Sequence, residues 1–161
     1  MAYLNGTPMN NTRVYIFHNT FYDMYDWGLF FNATSEPGFN CEVMFRNNIV
    51  VTKNLTRLAN FVGPVDADYN CYYSSDPQFV DWNNGYNIYY NLSAWQAGTS
   101  YDQHSVYGDP KFVNGFNLAS DSPCKDMGAD VSGNITFSYV DYDGVSIPQG
   151  SAPDAGAYEY S

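Results

Sequence analysis

The sequence predicts an all-β fold of short stacked coils, because one strand-and-turn pattern occurs three times. The asparagines of the three copies are spaced by 29 and then 22 residues. Internal similarity with a period in the twenties is typical of a solenoid, in which one repeat must stack on the next to bury its apolar face. The copies are Val14-x-Ile16-x-x-Asn19-x-Phe21, Val43-x-Phe45-x-x-Asn48-x-Val50 and Val65-x-Ala67-x-x-Asn70-x-Tyr72.

Each copy predicts a strand followed by a turn. Alternating apolar residues before the asparagine indicate a short strand with one buried face. Asparagine tolerates the unusual backbone angles of turns, and its amide both donates and accepts hydrogen bonds. Asn19, Asn48 and Asn70 are therefore predicted to form a ladder that satisfies the turn backbone. The predicted core consists of Val14, Ile16, Phe21, Val43, Phe45, Val50, Val65, Ala67 and Tyr72.

The rest of the chain contains few helix signals. Two irregular excursions, residues 23–40 and 52–64, connect the repeats. Aromatic residues make up 19% of the chain, which favours strands. The one helical candidate is a short turn at residues 92–96. At 161 residues the chain is predicted to form a single domain, with the repeat coils in residues 1–75.

An ordered series of motifs follows the repeats. The series comprises Leu92-Ser93-Ala94-Trp95-Gln96, Asp102-x-His104-Ser105, Gly108-Asp109-Pro110-x-Phe112-Val113, Ser122-Pro123-Cys124-x-Asp126-x-Gly128 and Pro153-Asp154-Ala155-Gly156-Ala157-Tyr158-Glu159-Tyr160. It resembles the C-terminal end of right-handed parallel β-helix repeat proteins, the pectate-lyase-like superfamily. The resemblance implies a short right-handed parallel β-helix, with the last coils and a C-terminal cap in residues 76–161. It implies no single activity, since fold does not decide function.

Charge and hydropathy exclude two classes of partner. The formal net charge is −11 and only six Lys and Arg residues are present, which argues against nucleic acid as a partner. No run of apolar residues is long enough for a transmembrane helix, so no membrane insertion is expected. The first recognisable coil begins near residue 12, and an open N-terminal end of a stack is a candidate surface for self-association.

Cysteines and sequons are consistent with secretion. Cys41, Cys71 and Cys124 leave at least one thiol unpaired, and a secreted chain would form one disulfide whose pair the sequence does not choose. Zinc-ligand spacing is absent. The excess of Asn-x-Ser/Thr sites indicates either glycosylation or the ordinary turn composition of a solenoid. The six sites are Asn5, Asn10, Asn32, Asn54, Asn91 and Asn134.

Aligning the repeats predicts two outward-facing columns, Tyr15–Met44–Asp66 and Phe17–Arg46–Asp68. Parallel strands lie about 4.8 Å apart, so Arg46 could pair with Asp68. Asp66 and Asp68 would stand roughly 7 Å apart on one face, within the range of inverting glycosidases. Asp66, Asp68 and Arg46 are therefore the candidate catalytic residues. The alternative is a solvated strand face with one surface ion pair.

Exposed aromatics suggest a carbohydrate ligand, because aromatic faces beside Asn and Asp suit neutral sugars. The candidate ligand-binding residues are Tyr15, Phe17, Trp27, Trp82 and Tyr86. The alternative is that such aromatics pack over the flank of the coils.

The remaining polar motifs are better explained as turns. His18 and His104 are expected to fix turns by hydrogen bonding. Asp141 and Asp143 resemble the start of a calcium loop but lack its full spacing. No cofactor is expected, with Ca²⁺ at Asp141 and Asp143 as the alternative.

Three functional hypotheses follow. The leading one is an extracellular or cell-surface module that faces a carbohydrate polymer or glycan and is not catalytic. The second is a fragment of a polysaccharide hydrolase or lyase that uses the outer sheet face. The third is a structural subunit that stacks end to end into a filament.

Overall fold

The computed structural model describes residues 12–24, 27–32, 41–52, 57–62, 65–74, 80–82, 87–136 and 138–161. Within them the chain forms thirteen strands, one α-helix and one 3-10 helix. The strands are β1 (Thr12–Phe17), β2 (Thr20–Met24), β3 (Trp27–Asn32), β4 (Cys41–Arg46), β5 (Ile49–Thr52), β6 (Arg57–Val62), β7 (Val65–Asp68), β8 (Cys71–Ser74), β9 (Val80–Trp82), β10 (Asn87–Tyr89), β11 (Val106–Tyr107), β12 (Phe112–Val113) and β13 (Asn117–Leu118). The helices are α1 (Leu92–Thr99) and the 3-10 turn Ser132–Asn134.

Strands β1 to β11 are distributed over three sheets. Sheet A has the order β1-β4-β7, sheet B the order β2-β5-β8-β11, and sheet C the order β3-β6-β9-β10. All neighbours in sheets A and B are parallel, whereas β10 runs antiparallel to β9. Each of β1 to β6 therefore pairs with the strand three places further along the chain. Strands β12 and β13 form a separate antiparallel pair.

The three asparagines stack at the turn between sheets A and B. Asn48 accepts from the main chain of Asn19 at 3.0 Å, and Asn70 accepts from the main chain of Asn48 at 3.0 Å. The side-chain amides of Asn19 and Asn48 donate along the same line at 3.2 Å. The residue before each asparagine is left-handed: His18, Asn47 and Tyr69 have φ of 53°, 57° and 58°.

The ladder ends on a buried carboxylate. The side chain of Asn70 donates to Asp102 at 3.1 Å, and its main chain donates to the Ser105 hydroxyl at 2.8 Å. Asp102 is 1% exposed and also accepts from Trp95 Nε1 at 2.7 Å. Burial raises the pKa of Asp102, although the hydrogen bonds from Ser105, Asn70 and Trp95 act in the opposite direction.

Two hydrophobic clusters stabilise this arrangement. The first buries six of the nine predicted core residues together with Leu29, Leu92 and Trp95, and the other three, Val14, Ile16 and Phe21, are partly buried and pack against it. The second lies on the other face of sheet B, where Ile49 and Val51 pack against Leu118 and Ala155. Every residue of β5 is therefore buried, as expected for a parallel strand that is covered on both faces.

Helix α1 covers one end of the first cluster. Asn91 caps the helix, accepting from the main chain of Ala94 at 2.8 Å. Leu92 and Trp95 then face the core. Gly98 permits this packing, because a Cβ there would lie 2.5 Å from a ring carbon of Tyr89.

The C-terminal segment, residues 108–161, lies along the side of the sheets. Its main chain donates to Thr20 Oγ1 from Ala157 at 3.1 Å and to the Asn47 carbonyl from Gly156 at 2.8 Å. A disulfide joins Cys71 of β8 to Cys124. The sequence had left this pairing open, and the side chain of Cys41 lies outside the described structure.

The predicted class, an all-β right-handed parallel β-helix solenoid with a C-terminal cap, is corrected to a mixed α/β-like fold. The strands of the repeats do pair in parallel, as predicted. The repeat pattern, however, predicts only those strands and not the structure of the rest of the chain. The described part of the C-terminal segment adds no strand to sheets A, B or C. In the described residues, helix α1 covers the end of the first cluster with Leu92 and Trp95.

Candidate functional site

A cleft separates the outer face of β1 from the C-terminal segment. Its volume is about 400 Å³. Tyr15 and Phe17 form one wall, and residues 131–147 contribute the other. We call this feature the β1 cleft.

Three aromatic rings line the β1 cleft. Tyr15 and Phe17, two residues apart on β1, both lie on its outer face, and their ring centroids are 5.4 Å apart. Tyr15 is 41% exposed. Tyr139 faces them from the C-terminal segment. Aromatic faces of this kind pack against apolar or C–H surfaces of a ligand.

The remaining lining is uncharged. Amide and hydroxyl groups come from Asn19, Asn134 and Thr136. Apolar side chains come from Val131, Ile135, Val140 and Ile147. None of the described residues that line the cleft is charged at neutral pH. His18 would carry a charge only when protonated.

His18 is held in its neutral form between the two walls. Its Nε2 lies 2.8 Å from the Tyr139 hydroxyl and 2.9 Å from Nδ2 of Asn47. Burial lowers the pKa of His18 to about 4, partly offset by the nearby main-chain carbonyls of Asp154 and Gly156. Those carbonyls are not hydrogen-bonded to Nδ1, which is buried and makes no hydrogen bond among the described residues.

Tyr139 is also neutral. Burial is the main reason that its pKa rises to about 12, and the charges of Asp130 and Glu159 add to the shift. Its hydroxyl therefore keeps its proton across the physiological range.

The wall that carries Tyr139 is shaped by a tight turn. Val140 bridges Ser146, and the main chain of Ile147 donates to the Tyr139 carbonyl at 3.1 Å. Asp141 closes the turn, accepting from the main chains of Asp143 at 2.9 Å and Val145 at 2.8 Å.

This turn contains Asp141 and Asp143, the two residues of the alternative calcium site. The second oxygen of Asp141 accepts from the main chain of Glu159 at 3.0 Å, so both oxygens bind N–H groups. No group of three His, Cys, Asp or Glu residues among those described is placed to hold a metal ion.

The predicted catalytic residues share the outer face of sheet A, but their pairing differs from the prediction. Nη2 of Arg46 donates to both oxygens of Asp66 at 2.9 and 2.8 Å. Arg46 is directly opposite Asp68 in the register, yet the side chain leans toward Asp66. The predicted pairing of Arg46 with Asp68 is therefore wrong.

Asp68 binds the turn after β7 instead. It accepts from the main chains of Tyr69 at 2.9 Å and His104 at 2.8 Å, and from His104 Nδ1 at 2.8 Å. The rings of Tyr69 and His104 stack at 4.6 Å. His104 thus fixes a turn, as expected. A substrate would have to displace protein donors to reach either carboxylate.

The other three predicted ligand-binding aromatics are not among the described residues that line the β1 cleft. Trp27 and Trp82 lie on β3 and β9 of sheet C, and their side chains are outside the described structure. Tyr86 is outside it altogether.

The predicted glycosylation sites are described in part. Asn91 is exposed and caps α1, and Asn134 is exposed at the β1 cleft. Asn32 ends β3 with its side chain not described, and Asn5, Asn10 and Asn54 lie outside the described residues. Modification of these sites remains a prediction.

Comparison with protein-family models found no match, and neither did comparison with curated proteins or with solved structures. The resemblance to the pectate-lyase-like superfamily is accordingly corrected: no family is matched, and the fold is mixed α/β-like. The terms parallel β-helix and solenoid therefore do not describe this chain. No described helix is long and apolar enough to cross a membrane.

Sequence reasoning identified one wall of the cleft and missed the other. Tyr15 and Phe17 follow from the alternation of β1. Tyr139, Val140 and Ile147 lie in a segment without periodicity, and Tyr139 meets a residue 121 positions away. No local signal in the sequence indicated that contact.

Proposed function

We propose that this protein is a non-catalytic binding module for a neutral carbohydrate, with the β1 cleft as its site. The observation that supports this most strongly is the cleft's lining. Three aromatic rings stand beside amide and hydroxyl groups, and no charged side chain lines it among the described residues. Such a lining suits a ligand that offers C–H faces and hydroxyls.

The charge of the chain supports the same class of ligand. With a net charge of −11, long-range electrostatics disfavour polyanions such as uronate polymers. A neutral glycan meets no such repulsion. Binding should therefore depend little on ionic strength.

The polysaccharide-degrading alternative is less well supported. Asp66 and Asp68 share a face, but Arg46 and His104 already occupy their oxygens. End-to-end assembly into a filament remains a prediction without a described surface that favours it. An extracellular location likewise remains a proposal that follows from the ligand class.

The proposal is tested with immobilised neutral and anionic oligosaccharides. We expect saturable binding to a neutral oligosaccharide, unchanged between low and moderate salt. Phe17→Ala should weaken that binding about tenfold, the effect of losing one aromatic contact of roughly 1.4 kcal/mol. Tyr15→Ala should act in the same direction.

Two control variants separate the cleft from other surfaces. Tyr90→Ala removes an exposed tyrosine, 62% accessible and outside the cleft, and should leave binding unchanged. Asp66→Asn removes the ion pair of Asp66 with Arg46 on the outer face of sheet A, and should also leave binding of the neutral oligosaccharide unchanged. Binding to anionic glycans alone, or loss of binding in Asp66→Asn but not in Phe17→Ala, would refute the proposal.

A further inference from the structure

The hydrogen bonds around Asn47 determine which nitrogen of His18 carries the proton. Oδ1 of Asn47 accepts from the main chain of Ala129 at 2.9 Å, and Nδ2 donates to the Ala129 carbonyl at 2.7 Å. These two bonds fix the orientation of the amide. The second hydrogen of Nδ2 is then directed to His18 Nε2 at 2.9 Å, so Nε2 must be an acceptor.

A protonated His18 cannot keep these contacts. Its Nε2 would carry a hydrogen that faces the Nδ2 hydrogen of Asn47, and two donors would meet without an acceptor. Rotating the amide would relieve this clash, but would break both bonds to Ala129. Only Tyr139 could adapt, because its hydroxyl can accept as well as donate.

These contacts join the two walls of the β1 cleft. His18 follows β1, Asn47 follows β4, and Ala129 and Tyr139 belong to the C-terminal segment. From these contacts we infer that His18 is an acid-sensitive latch: its protonation releases the described residues of the segment 128–147 (128–136 and 138–147) from β1 and opens the β1 cleft. The inference concerns the empty protein and does not depend on the ligand.

The charged groups around the latch do not counter this effect. Among the described residues, Tyr139 is a titratable group that contacts His18, and it stays neutral. Asp154 faces His18 with its main-chain carbonyl, while its carboxylate accepts from the main chains of Asp126 and Tyr160. On the strand side, Arg46 is paired with Asp66. Asp130 and Glu159 act on Tyr139.

The pH range follows from the two states of the histidine. Docked, His18 has a pKa of about 4; released into water, it would regain its usual pKa near 6.5. Lowering the pH from 7 to 5 should therefore increase the opening equilibrium about twenty-fold. The increase should approach about 240-fold well below pH 4.

Hydrogen exchange tests the latch, with rates corrected for the intrinsic effect of pH. We expect protection of residues 128–147 to fall about twenty-fold from pH 7 to pH 5, while β5 keeps its protection. His18→Asn should abolish this fall, and Asn suits the left-handed position because Asn47 occupies the equivalent one. His104→Asn removes the other histidine of the chain and should behave as wild type.

Nuclear magnetic resonance of the wild-type imidazole gives a second test that needs no variant. We expect the Nδ1–H tautomer at pH 7 and a titration well below the usual value. An Nε2–H tautomer, or ordinary titration near 6.5, would overturn the inference. So would unchanged protection of residues 128–147 at pH 5, or an equal loss in His18→Asn.

Discussion

Asn70 donates from its side chain to the carboxylate of Asp102 at 3.1 Å, and this bond ends the asparagine ladder on a buried charge. The same carboxylate accepts from Trp95 of helix α1 and from the hydroxyls of Tyr72 and Ser105. The helix, the ladder and the core therefore meet at one residue.

Asp102→Ala should be strongly destabilising, because it removes an acceptor shared by four buried donors. We expect a loss of about 4 kcal/mol in the free energy of unfolding, measured by urea denaturation. Asp102→Asn keeps the shape and one acceptor oxygen, and should lose less. The matched control is Asp121→Ala, whose side chain is 71% exposed beside Lys111; it should change stability by under about 0.5 kcal/mol. A loss within about 1 kcal/mol for Asp102→Ala, of the order of one hydrogen bond, would contradict this account.

The ladder should be more sensitive in its middle than at its end. Asn48 is fully buried and donates to the carbonyls of Ile16 and Arg46 at 2.9 Å. Asn19 is exposed and donates to one carbonyl, that of Phe17. We expect Asn48→Ala to cost about 3 kcal/mol and Asn19→Ala about 1 kcal/mol. Equal losses in the two variants would show that the stacked amides are not the source of the stability.

Docking of the C-terminal segment should depend on Gly128. A Cβ there would lie 2.8 Å from the main-chain oxygen of Pro153 and 3.1 Å from Asn47. Because a main-chain atom cannot move away cheaply, we expect Gly128→Ala to lower the free energy of unfolding by about 2 kcal/mol. A Cβ at Gly133 would meet nothing within 4 Å, so Gly133→Ala is the matched control and should be neutral. Indistinguishable melting temperatures for the two variants would argue against the packing described.

The contribution of His18 to stability should fall as the pH is lowered from about 6.5 to 4. In this range the unfolded chain protonates His18, whereas the folded protein, with a pKa of about 4, does not. The loss amounts to about 3 kcal/mol when complete. Burial raises the pKa of Asp102, Asp154 and Glu159, which has the opposite sign: their folded forms bind protons more readily, so that their contribution is largest in acid and is lost as the pH rises.

Comparing wild type with His18→Asn isolates the contribution of the histidine, because the carboxylates are common to both proteins. The difference in free energy of unfolding between them should change in favour of the variant as the pH falls to 4. A difference that does not vary with pH would contradict a buried neutral His18.

Periodicity predicted the parts of this fold that repeat. The alternation around Val14, Val43 and Val65 identified the core positions, and the spacing of the asparagines identified the ladder and its register. It could not predict that Asp102 and Ser105 continue the ladder, because neither residue stands in a copy of the repeat. Periodicity also led to the wrong fold class, because the parallel pairing of three repeats does not predict helix α1 or the C-terminal segment.

Of the two walls of the β1 cleft, the sequence predicted only the one on strand β1. Side-chain direction on a strand follows from sequence, so Tyr15 and Phe17 were correctly placed outward. The partner of Arg46 depends on how a long side chain leans, and register alone favoured Asp68 over Asp66. The wall carrying Tyr139 depends on tertiary docking through Asn47 and Gly156, which no local pattern encodes.

The most direct test of the central claim is a map of amide and side-chain chemical shifts during titration with a neutral oligosaccharide. The account predicts saturable shifts concentrated at Tyr15, Phe17, Asn134 and Tyr139, with Arg46 and Asp66 unaffected. Shifts centred on Arg46, Asp66 and Asp68, or no shifts with any neutral oligosaccharide, would contradict it.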